Sequence, residues 1–115
     1  MIIDTINCSI KCDDGELEYI YNLTERKLSL EVEGKEEEII TYGVEAQSYV
    51  VKADKKILIS KDAIEVLTPY KHKAKEFINM LRKNEVSPVH LLNIAEEVIE
   101  EYYLDFEKVV QVISL

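Results

Sequence analysis

The chain reads as an α+β protein, an antiparallel four- to five-stranded meander followed by two or three C-terminal helices packed on one face of the sheet. Three observations carry this. Apolar and polar residues alternate along most of residues 6–67, the period of strands with one buried face. The period changes at Thr68: Thr68-Pro69 and Ser87-Pro88 each offer a hydroxyl N-cap with proline at the first helical position, where its missing N–H costs nothing. Behind each pair the same intervals recur, in Tyr70, Ala74, Phe77, Ile78 and Leu81 and in Leu91, Ala95, Val98, Ile99 and Tyr102, one stripe of an amphipathic helix.

In order along the chain, Ile6, Cys8, Ile10 and Cys12 give a first strand, closed by a turn at Asp13-Asp14-Gly15. Leu17, Tyr19, Tyr21 and Leu23 form the apolar face of a second, which the polar stretch Thr24-Glu25-Arg26-Lys27 ends. Leu28, Leu30 and Val32 mark a third, closed by Gly34-Lys35, and Ile39 to Val51 a fourth, in which Gly43 signals a bulge or bend. After Ala53-Asp54-Lys55-Lys56, residues 57–67 complete the sheet. Helices are expected at about 69–83 and 88–103. Phe106, Val109, Val110 and Ile113 repeat at helical spacing behind Asp105 as an N-cap, although β-branched residues lower their helix propensity.

The 115 residues fit one domain, 1–115, with its sheet in 1–67 and its helical part in 68–115. Hydrophobic residues at 47% and charged residues at 32% argue against disorder. Met1-Ile2-Ile3-Asp4 lacks a basic leader, and no apolar run approaches the roughly 18–20 residues of a membrane span. A cytoplasmic protein is expected.

Net charge is −9, which opposes binding to a phosphate backbone. Charge is unevenly distributed. Residues 68–83 carry Lys71, Lys73, Lys75, Arg82 and Lys83 against Glu76, whereas residues 84–107 carry seven acids and no base. A basic helix therefore precedes an acidic one, and the two can pair with each other.

Chemistry has little support. Cys8 and Cys12 lie about 13 Å apart on a strand, too far for a disulfide, and read as small reduced hydrophobes. His90 opens the second helix and His72 lies on the basic one; neither stands in an HxxxH or HExxH arrangement, so no metal ligands are assigned. Glu96, Glu97, Glu100 and Glu101 read as a solvated face, as does Glu36-Glu37-Glu38. No nucleophile motif and no glycine-rich phosphate loop is present, so no catalytic residue and no cofactor is assigned. Tyr19, Tyr21, Tyr42, Tyr70 and Tyr102 fall on apolar faces, leaving Tyr49 and Tyr103 as surface aromatics.

At Tyr42-Gly43-Val44-Glu45-Ala46, and more fully from Leu81 to Ile99 through Ser87-Pro88-Val89-His90-Leu91, the chain resembles a family of short, uncharacterised clostridial (Firmicutes) proteins, a domain of unknown function. The resemblance implies a YG-type strand, a charged helix and an acidic final helix, and brings no assigned activity.

The function expected is a small interaction or regulatory module with a protein partner, through Tyr49, Glu97, Glu101 and Tyr103; self-association through a strand edge or helix face is compatible with it. The alternative is a small-molecule domain with a pocket between sheet and helices. Nucleic-acid binding through residues 69–83 is a weaker third. An open apolar patch favours the first, and an enclosed cavity with converging polar groups the second.

Overall fold

In a computed structural model, which describes residues 1–12 and 15–113, the α+β reading holds as a four-stranded antiparallel meander followed by three helices. The strands are β1 (Ile2–Cys12), β2 (Gly15–Val32), β3 (Lys35–Lys52) and β4 (Lys55–Thr68), adjacent in chain order. The helices are α1 (Lys71–Lys83), α2 (Leu91–Ala95) and α3 (Ile99–Ile113), with a 3-10 turn at Pro88–His90 before α2. The turn expected at Asp13-Asp14 lies outside the described residues.

The count is four strands because the second and third strands of the sequence reading are one. Residues 24–27 do not turn: Thr24 pairs with Gly43, Glu25 with Tyr42, Arg26 with Thr41 and Lys27 with Ile40. Local polarity suggested a loop, but the ladder to β3 overrides it from Glu16↔Val51 to Val32↔Lys35. The hairpin closes on Glu33 and Gly34, with φ of 53° and 79°, the left-handed pair that a twisted two-residue turn requires.

The flanking strands are shorter. β1 pairing begins at Ile2↔Thr24, and β4 pairing ends at Thr68↔Tyr42. Residues 26–41 therefore project as a two-stranded arm, and the molecule measures 58 × 24 × 19 Å.

The core lies where all four strands meet α1. Tyr21, Leu23, Val44 and Ala46 pack with Ala74, Phe77, Ile78 and Leu81 of α1, and with Leu91, Ala95 and Tyr102. The Tyr21 hydroxyl donates to the Val86 carbonyl at 2.7 Å, tying β2 to the loop after α1. Burial pushes that hydroxyl far above its ordinary pKa, so it remains a donor. α1 ends with Val86 N–H bonded to Leu81 O and Glu85 N–H to Arg82 O. These are the two bonds of a Schellman stop, with Glu85 at φ 50° where glycine is usual.

Three helix readings need correction. Thr68 is the last, fully buried residue of β4; its hydroxyl accepts from Tyr70 N–H at 3.2 Å, but Tyr70 is still extended, so α1 starts at Lys71 rather than residue 69. The helix expected over 88–103 is broken: Glu97 N–H reaches Ile94 O and Val98 N–H reaches Ala95 O, three-residue bonds that end α2. α3 then runs unbroken through Asp105, which is a mid-helix residue and not an N-cap. In consequence Val98 is only partly buried and Ile99 is 50% exposed, while Asp105 takes the inward place.

β4 loses register opposite Ser48–Tyr49 and again opposite Tyr42–Val44. The second irregularity lays the carbonyl oxygens of Ile64 and Glu65 onto Gly43, so the irregular strand is β4 and Gly43 is the site of close approach. With Lys55, Lys56 and Lys61 along it, β4 carries devices that discourage strand addition at an open edge. Gly43→Ala is expected to lower stability by about 1–3 kcal/mol in denaturant titration; an unchanged midpoint would place the β4 backbone elsewhere.

Candidate interaction groove

The arm and α3 enclose an open groove of about 600 Å³. Leu28 and Leu30 come from the arm, Val66 and Leu67 from the end of β4, and Ile99, Tyr103, Phe106 and Val110 from α3; Glu107 and Gln111 are the polar members. A second hollow of about 440 Å³ shares Ile99, Tyr103 and Glu107 and adds Glu100 and Leu104. Tyr103, 65% exposed, stands between the two.

A single cation of α1 links it to α3, whose Tyr102 is also buried in the core. Lys73 Nζ lies 2.6 Å from Asp105 Oδ2 and 3.4 Å from Glu101 Oε1, beside the rings of Tyr70 and Tyr102 at 5.5 and 5.8 Å. The Tyr102 hydroxyl donates to the Lys73 carbonyl at 3.4 Å. The Asp105 side chain is 3% exposed and that of Lys73 21%, so this is a largely buried pair and not a surface bridge. Its hydrogen bond to Asp105 raises the Lys73 pKa above the ordinary 10.5, against the opposing effect of burial.

The four residues singled out from the sequence do not come together. Tyr103 is on the groove. Glu101 turns to Lys73 of α1, although its side chain is 65% exposed. Glu97 is exposed in the tight turn before α3. Tyr49 is half-buried on β3, its hydroxyl donating to Gln47 Oε1 at 3.1 Å and its ring under Lys56 Nζ at 4.6 Å. Ten residues of β3 separate Tyr49 from Ile39, the partner of Leu28, about 33 Å of strand. The acidic row is likewise divided: Glu96 and Glu97 are exposed, Glu101 turns to Lys73, and Glu100 borders the second hollow together with Glu107.

Leu28, Leu30, Phe106 and Asp105 were missed as site residues. The usable signal was the shift of apolar residues in β2 from odd positions to even ones after Leu23, which places Leu28 and Leu30 on the other side of the same strand. Asp105 gave no such signal, since an acidic residue just ahead of an apolar helical stripe reads as an N-cap.

Other chemistry stays dispersed. Among the described residues no group of three or more His, Cys, Asp or Glu side chains is placed to hold a metal ion. His72 and His90 are exposed, and His72 stacks on Tyr70 at 5.8 Å. Burial pushes the Cys8 thiol above its ordinary pKa, which makes it a poor nucleophile at neutral pH. Lys71, Lys75 and Arg82 are exposed, but Lys73, central to the basic helix, is turned to Asp105. Among the described residues no helix is long and apolar enough to cross a membrane.

Lys73→Met removes the charge and keeps an apolar stem, leaving Asp105 buried without its cation. The expected loss is on the order of 3 kcal/mol near pH 7, whereas Glu101→Gln should cost less than about 1 kcal/mol. Because the folded Lys73 pKa is raised, its contribution is full below the unfolded value of about 10.5 and is lost as pH rises through the folded value. The difference between the parent and Lys73→Met in thermal unfolding should therefore narrow as pH rises into strong alkali.

No curated protein and no solved structure matches the chain. Residues 3–101 match a family of unknown function (DUF6514); the match ends in the first turn of α3, so Tyr103, Phe106 and Val110 of the groove lie beyond it. On the extent of that match, the chain belongs to this family.

Proposed function

We propose that this chain is a small polypeptide-docking module and that its docking surface is the groove between the arm and α3. The observation that carries the reading is the groove's character. It is open, eight of its ten lining residues are apolar, and Tyr103 stands exposed at its rim. Aromatic anchors beside apolar clefts are what protein interfaces use. Its volume also lies in the range of small-molecule sites, roughly 300–1,000 Å³. Such sites, however, surround the ligand and converge several polar groups on it, and here Glu107 and Gln111 are the polar liners. The nucleic-acid reading is weakened by the engagement of Lys73 with Asp105. Tyr103 is kept as a contact residue; Tyr49 and Glu97 fall outside the groove.

The resemblance to short clostridial proteins makes the cytoplasm of a clostridial cell the setting for the test. A photoreactive aromatic amino acid in place of Tyr103 should give a discrete protein adduct. The adduct should be absent when the same group replaces the exposed His72, and lost when Ile99→Asp is added. A groove found filled by a retained small molecule in native mass spectrometry, or adducts of equal yield at 72 and 103, would overturn the reading.

A further inference from the structure

The exposed face of α3 has a finer pattern than an apolar patch. Ile99, Tyr103, Phe106 and Val110 follow one another at intervals of four, three and four, the a/d spacing of a coiled-coil seam. All four line the groove. Glu100 and Glu107 occupy the same flanking place one heptad apart, about 10.5 Å along the axis, and both border the second hollow. Lys73 compensates Glu101 and Asp105 on the opposite side of the helix, but no ion pair among the described residues involves Glu100 or Glu107.

Resting on the docking reading above, we infer that the occupant of the groove is an amphipathic helix whose apolar seam is flanked by Lys or Arg seven residues apart. Its seam packs between α3 and Leu28 and Leu30 of the arm, and its cations meet Glu100 and Glu107. Charges at flanking positions of helix pairs select the partner and its direction. A second copy of this chain is a poor occupant. Each copy carries a net −9, and antiparallel pairing of two α3 seams sets Glu100 of one against Glu107 of the other. Parallel pairing sets Glu107 of one against Tyr102 of the other, which supplies no cation.

Three labelled 21-residue peptides test this by fluorescence anisotropy with the full chain: a heptad helix with Leu seams and Lys flanks, the same helix with Glu flanks, and the Lys peptide with Ser in the seam. The Leu/Lys peptide should bind at least tenfold more tightly than either of the others, and its advantage over the Glu peptide should shrink as salt rises. Glu100→Lys with Glu107→Lys should reverse the preference, and Glu100→Gln with Glu107→Gln should abolish it, with unchanged circular dichroism. Equal binding of the Lys- and Glu-flanked helices, lost with Tyr103→Ala, would overturn the basic partner and leave the docking groove standing. Binding of the Ser-seam peptide as tightly as the Leu/Lys peptide would overturn the inference as bulk attraction. Binding of no peptide would overturn both.

Discussion

Between Leu23 and Leu28 the apolar residues of β2 move from odd to even positions while its ladder with β3 continues without a bulge. A strand presents successive side chains to opposite faces, so this shift gives one strand two apolar faces at different points along its length. Tyr21 and Leu23 enter the core under α1, and Leu28 and Leu30 line the groove. The arm exists because β1 and β4 stop pairing at Thr24 and Tyr42. Had Thr24–Lys27 turned the chain, the same residues would have formed one more core-facing strand, and α3 would have no opposite wall.

The second constraint is the placement of α3. Of its fifteen residues only Tyr102 and Asp105 are buried, and both meet Lys73 or its backbone. Removing two charges from water is costly and is offset here by close geometry and by the tyrosine rings around the ammonium. That pairing sets the rotation of the helix. With Tyr102 and Asp105 inward, the Ile99–Tyr103–Phe106–Val110 stripe faces the arm, so the groove follows from the latch.

Much of the fold was legible because it rests on local periodicity. The meander, the stripe of α1 and the chain reversals near Gly34 and Ala53 follow from alternation, helical spacing and short hairpin loops. Where the reading failed, long-range pairing decided. Thr24–Lys27 is polar enough for a loop, but β3 supplies partners for its backbone. Thr68 and Ser87 have the composition of caps, yet Thr68 is held in the sheet, and Ser87 makes no side-chain cap bond and leads only into a 3-10 turn. Asp105 was hidden because its partner lies 32 residues away on another helix. The expectation that the basic and acidic helices would lie side by side did anticipate the kind of contact, though not the residue. Tyr103 stands out in the sequence by its failure to fit an inward stripe, while its neighbours Phe106 and Val110 read as part of a separate stripe in the tail.

The continuity of β2 is tested most directly by proton NMR of the backbone. An unbroken ladder predicts cross-strand contacts between Lys27 and Ile40, Leu28 and Ile39, and Ser29 and Glu38, continuing the series from Leu23 and Val44. Close sequential amide contacts across Thr24–Lys27 together with absence of those cross-strand contacts would show a turn there, and would remove the arm and with it the groove.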